Sequence, residues 1–91
     1  MFPKVLQVMP MRDYSVYVYF EDGKIVRYDM SRMLEKEVFY PLKDIDVFMD
    51  TCTVMNDTLA WDIHKNRDNT MCLDIDPDTL YELPMAVEMI A

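Results

Sequence analysis

The sequence predicts an α+β fold: an antiparallel sheet built from a three-strand meander and a second hairpin, with two or three short helices. Three observations carry the prediction. Residues 14–30 alternate apolar and polar side chains on both sides of an Asp-Gly turn. Residues 52–61 repeat the alternation around Asn56-Asp57, and Asp44 and Asp76 each stand just before a stretch with helical signals. The 91 residues make a single domain, its core over 4–83 and a tail at 84–91, because so short a chain cannot bury a second core.

In chain order, residues 5–9 form a short apolar strand. Pro10 ends it, since it cannot donate to a ladder, and the chain turns through 10–13 into the hairpin. A two-residue loop would place Arg27 on the face of Val18. A three-residue loop, Glu21-Asp22-Gly23, pairs Phe20 with Lys24, Val18 with Val26, Val16 with Tyr28 and Tyr14 with Met30, so one face stays apolar. That choice requires Gly23 in the left-handed region, where lacking a Cβ removes the steric penalty. Ser31 or Asp29 then caps a weak helix over 32–37. After a turn at 41–44, Asp44 caps a second helix with Ile45, Phe48 and Met49 on one face and Phe48 in the core. In the second hairpin Val54 faces Leu59 and Cys52 faces Trp61 across Asn56-Asp57, residue types that tolerate positive φ. A polar loop at 65–69 leads to a last strand at 71–75. Asp76-Pro77-Asp78 opens a final helix that Pro84 ends. There are no repeats, linkers or low-complexity runs.

Composition limits function. Net charge is −8, which repels phosphate backbones, so direct nucleic-acid binding is not expected and a basic protein partner is the better electrostatic match. No apolar run approaches the roughly 18 residues of a membrane span, and residues 1–10 lack signal-peptide character. A cytoplasmic protein without membrane association is therefore expected. Cys52 and Cys72 are too few for a disulfide scaffold and are read as reduced thiols in apolar surroundings.

The candidate chemistry is sparse. Asp74, Asp76 and Asp78 are spaced like the opening of a calcium loop, but Thr79 and Met85 stand where its glycine and glutamate belong, so a capped helix explains them better. His64, Cys52 and Cys72 lack the short pair and fourth ligand of a zinc site. No cofactor, metal or catalytic constellation is expected. What remains is either a surface, or a hairpin face covered by a helix or strand one beside a merely solvated loop. Tyr17 opposite Arg27 and Tyr19 opposite Ile25 make an aromatic patch with one cation over it, and His64, Lys65 and Arg67 form a basic loop in an acidic chain. These six residues, Tyr17, Tyr19, Arg27, His64, Lys65 and Arg67, are the partner-binding candidates.

The segments DYSVYVYFEDGKIVRYDM, PLKDIDVF, TLAWDI and LDIDPDTLYE, in that order, resemble a bacterial family, domain of unknown function 2442, across residues 5–82. The resemblance implies a small α+β domain with no agreed catalytic residues. Some members look like regulatory modules fused to helix-turn-helix domains, and others are encoded beside small proteins suspected to be toxins. The family's commoner form has a Trp-Pro-Asn-Gly turn after the tryptophan. Here Trp61-Asp62-Ile63 continues as a strand and a longer loop at 64–70 replaces the turn, so a site built on the short turn does not transfer, and without an agreed activity in the family no functional residue carries over. The leading expectation is a non-enzymatic protein-interaction or regulatory module, antitoxin-like in kind. The alternatives are a small-ligand-binding or enzymatic domain using acidic groups near Trp61, namely Asp62 and Asp74, and a self-associating structural protein that forms a homodimer through open sheet edges.

Overall fold

In the computed structural model, which describes residues 3–86, the central hairpin takes the register that keeps its apolar face whole. Strands β2 (Ser15–Phe20) and β3 (Ile25–Asp29) pair antiparallel with Val18 opposite Val26 and Val16 opposite Tyr28. The Gly23 N–H donates to the Phe20 carbonyl at 3.0 Å and the Phe20 N–H to the Lys24 carbonyl at 2.9 Å. Gly23 sits at φ +94°, as the three-residue loop demands.

The same loop recurs before β2, with a different residue at the strained position. Strand β1 (Val5–Pro10) pairs with β2, the Met11 N–H donates to the Ser15 carbonyl at 2.8 Å, and the Tyr14 N–H to the Met11 carbonyl at 3.1 Å. Tyr14 occupies the bulge at φ 67° rather than continuing the strand, although its carbonyl still accepts from the Met30 N–H at 2.9 Å. A bulky residue there costs on the order of 1–2 kcal/mol in backbone strain, so its side chain must return more. Its ring meets Phe48 edge-on, 5.3 Å between centroids, and its hydroxyl donates to the Lys43 carbonyl.

Beyond the hairpin the expected helix over 32–37 is replaced by two 3₁₀ segments, Met33–Glu35 and Glu37–Lys43. Neither start has a side-chain cap, because Asp29 spends its carboxylate on the Ser31 N–H at 2.9 Å. Pro41, inside the second segment, lacks the N–H that a continued α-helix needs. Leu34, Phe39 and Leu42 are buried from these turns. Helix α1 (Ile45–Thr51) starts at the expected cap, the Asp44 carboxylate accepting from the Asp46 N–H at 3.0 Å, and buries Phe48 completely.

Strands β4 (Cys52–Met55) and β5 (Thr58–Trp61) pair as expected, Val54 with Leu59 and Cys52 with Trp61, through Asn56 and Asp57 at φ 55° and 62°. The last strand, β6 (Leu73–Asp74), is shorter than residues 71–75. The Met71 N–H is drawn into a turn on the Asp68 carbonyl at 3.1 Å, which starts the strand late. The strands form two antiparallel sheets, β1-β2-β3 and β4-β5-β6, rather than one. They meet where β1 packs along β4 and β5, with the Val5 N–H donating to the Asp57 carbonyl at 3.1 Å. Helix α2 (Pro77–Tyr81) begins on the Asp76 cap and stops before Pro84. Of the 84–91 tail, the described part runs to Ala86, where Met85 bridges Val26 and the Ala86 N–H donates to the Ile25 carbonyl at 2.8 Å.

With one glycine in the chain, the turns rely on aspartate. The carboxylates of Asp13, Asp22, Asp29, Asp44, Asp68 and Asp76 each accept the backbone N–H two residues on, at 2.9–3.1 Å. Four of these carboxyls lie below the usual 3.8, each held there first by one hydrogen bond: Asp13 by the Ser15 hydroxyl, Asp22 by the Tyr81 hydroxyl, Asp29 by the Ser31 N–H, and Asp68 by the Thr70 hydroxyl.

Three outcomes are expected in denaturant titrations. Gly23→Ala meets open space but forces a Cβ to positive φ, and should cost about 1 kcal/mol. Tyr14→Phe should cost about 1 kcal/mol through the lost hydroxyl bond, and Tyr14→Gly about 2 kcal/mol despite relieving the backbone, because packing of the ring outweighs the strain. A neutral or stabilised Tyr14→Gly would show that strain outweighs the anchor. Because the aspartate pKa values are depressed in the folded state, their contribution is complete above the unfolded value near 3.8 and is lost as pH falls through the lower folded values. The midpoint should therefore drop below about pH 4.

Candidate functional site

The outer face of the first sheet follows from its register. Side chains alternate across a strand, so while Val16, Val18 and Val26 turn into the core, two cross-strand rows face outward: Met9, Tyr17 and Arg27, then Gln7, Tyr19 and Ile25. Tyr17, Tyr19 and Ile25 are half-buried by their neighbours and Met9 is 41% exposed. A β-bulge between Val5 and Gln7 leaves Leu6 unpaired and 64% exposed at the end of β1 nearest Tyr19. The centre of this face is thus aromatic and aliphatic.

Its rim is acidic. Asp13 and Glu21 flank the ends of β2 and Asp29 lies opposite Ser15, whereas the Asp22 carboxylate turns to the other side of the sheet, accepting from the hydroxyl of Tyr81, which packs on the buried Phe20. Arg27, directly opposite Tyr17, pairs with Asp13, its Nη2 lying 3.1 Å from Oδ2. The Lys24 ammonium donates to the Tyr81 carbonyl and lies 4.4 Å from that ring's centroid. Arg27 and Asp13 therefore offset one another, and among the described residues Glu21 and Asp29 are the rim carboxylates outside any ion pair, which leaves an apolar centre beside a modestly negative rim.

The basic loop lies elsewhere, after β5. Its organiser is Asp62, only 8% exposed, whose carboxylate accepts the Asn66 N–H at 3.4 Å and the Arg67 N–H at 3.1 Å, while its carbonyl accepts the Lys65 N–H at 2.9 Å. The wrap places Lys65 and Arg67 at φ 53° and 57°. Arg67 Nη1 then reaches Thr53 Oγ1 at 3.2 Å. Between this loop and residues 50–53, at the junction of α1 and β4, lies an open pocket of about 240 Å³ that Asp62, Lys65 and Arg67 help to wall. His64 is exposed beside the loop and is not part of the pocket wall.

The six candidates therefore divide into two places, Tyr17, Tyr19 and Arg27 on the sheet and Lys65 and Arg67 at the pocket, with His64 on the loop beside it. Met9 and Gln7 complete the sheet face. Sequence reasoning missed them because the bulge shifts the register of β1, although the period of two was there to read. The carboxylates of the enzymatic alternative are both hydrogen-bonded: Asp62 holds its loop, and Asp74 accepts from Asn56 Nδ2 at 3.3 Å and is not part of the pocket wall. Cys52 lines the pocket, and burial pushes its thiol up to about 12. Cys72 departs from the expected apolar setting. Its sulfur is 3.7 Å from both the Asn69 carbonyl and Asn56 Nδ2, and partial burial raises its pKa.

The family described as protein of unknown function (DUF2442) matches residues 5–84, most of the chain. No curated protein and no solved structure matches it. Among the described residues, no helix is long and apolar enough to cross a membrane.

Thiol chemistry gives a direct check on this region. Because the Cys52 thiol stays protonated at neutral pH, a disulfide reagent at pH 8 should modify it far more slowly than free cysteine, whereas both thiols should react in denaturant. A fast native reaction at Cys52 would mean that the junction of α1 and β4 opens.

Proposed function

We propose that this chain, which belongs to the DUF2442 family, is a protein-binding module that acts without catalysis and docks a basic partner on the outer face of β1, β2 and β3. The observation that carries this reading is an apolar centre, Met9, Tyr17, Tyr19 and Ile25, bordered by the carboxylates of Glu21 and Asp29 and by the Asp13–Arg27 ion pair. Stable interfaces share that plan, with desolvated aromatic anchors at the middle and a charged rim that steers the encounter. A net charge of −8 adds long-range attraction for a basic surface. A regulatory role, antitoxin-like where the partner is a small toxic protein, is the form such binding would take.

The test is a partner captured from the source cell and measured against variants of this face. Tyr17→Ala and Tyr19→Ala should each weaken the complex by about 1–2 kcal/mol, while the melting temperature stays nearly constant because neither ring belongs to the buried core. Affinity should also fall as salt rises, since screening acts over about 8–10 Å at physiological ionic strength. Unaltered affinity in both variants, or a complex indifferent to salt, would overturn the assignment.

A further inference from the structure

The pocket between α1 and the loop after β5 plays no part in docking on the first sheet, and its construction calls for a separate account. We propose that it binds a small zwitterion of free amino-acid size, the carboxylate toward Lys65 and Arg67 and the ammonium toward Asp50.

Size comes first. At about 240 Å³ the pocket falls below the roughly 300–1,000 Å³ of sites for drug-sized molecules, so its occupant is smaller than those. Charge comes second. The wall carries two carboxylates, Asp50 and Asp62, and two cations, Lys65 and Arg67, which cancel within a chain of net charge −8. A bare anion would meet long-range repulsion without a local surplus of positive charge, whereas a zwitterion has no net charge to repel.

The availability of these groups comes third. Among the described residues the ion pairs are Lys4 with Asp57, Arg12 with Asp46 and Arg27 with Asp13, so Asp50, Lys65 and Arg67 have no oppositely charged partner within 4.0 Å. Asp62 is the weaker seat for the ammonium, because each of its carboxylate oxygens is already committed to accepting a backbone N–H, from Asn66 and from Arg67. That commitment also positions the cations. It holds Lys65 and Arg67 at positive φ, and the Thr53 hydroxyl fixes the Arg67 guanidinium at 3.2 Å, leaving its remaining N–H donors for a carboxylate. Non-glycine residues keep such backbone angles only where the surroundings enforce them.

The experiment is a two-dimensional NMR titration of the full chain with each of the common L-amino acids, and with acetate and methylammonium as half-ligands. At least one amino acid should give saturable shifts at the amides of Thr53 and residues 65–67, with each half-ligand binding at least about tenfold more weakly, as expected when a charge-assisted contact is missing. Lys65→Met and Asp50→Asn alter exposed side chains, so both variants should fold, with an unchanged melting temperature as the control, and each should weaken that amino acid about tenfold. No saturable shift with any amino acid, or acetate binding as tightly as the best of them, would overturn the proposal. Neither result bears on the sheet-face tyrosines.

Discussion

Where β1 packs along β4 and β5 the two sheets touch directly, and a chain of three aromatic rings ties them together through α1. Tyr14, from the bulge before β2, stands edge-on to Phe48 of α1 at 5.3 Å, and Phe48 lies 5.5 Å from Trp61 of β5. The Trp61 indole N–H donates to the Phe48 carbonyl at 3.2 Å, so the largest buried side chain is satisfied by the helix that covers it. These contacts cover part of the apolar face that each three-stranded sheet turns to the shared core. The left-handed backbone of Tyr14 is the local cost of bringing a ring from the first sheet to the helix. The outer face of that sheet stays open because the same contacts commit its inner face to the core.

Much of the fold could be read from residue order because turn chemistry and periodicity agreed. Glu21-Asp22-Gly23 and Asn56-Asp57 set both hairpin registers, and Asp44 and Asp76 mark helix starts through a bond two residues long. What could not be read depends on distant partners. Tyr14 at positive φ violates local preference and makes sense only once Phe48 is beside it. The 3₁₀ path through residues 33–43 follows from an aspartate used elsewhere and a proline, and it is tertiary burial of Leu34, Phe39 and Leu42 that sustains it. The division of strands between two sheets has no local signal at all.

The candidate sites show the same limit. The pairing of Tyr17 with Arg27 was legible, but the ion pair of Arg27 with Asp13 was not, and it offsets the one positive charge on the patch. The pocket wall draws on the end of α1, the start of β4 and a loop ten residues further on, so no spacing rule would find it. The charge itself has two meanings. Six aspartates shape turns that glycine would otherwise make, so part of the negative field is a consequence of how the backbone bends. That origin does not weaken the field, and Asp29 with Glu21 carries it to the edge of the aromatic face.

The most direct measurement of where a partner sits is hydroxyl-radical footprinting of the captured complex against the free chain, read by mass spectrometry at single residues. Met9, Tyr17 and Tyr19 should lose reactivity on binding, while Met71, 50% exposed on the connection between β5 and β6, should react as before. Protection confined to Met71 and the loop around it, with the sheet face unchanged, would contradict the account and move the docking surface to the other half of the molecule.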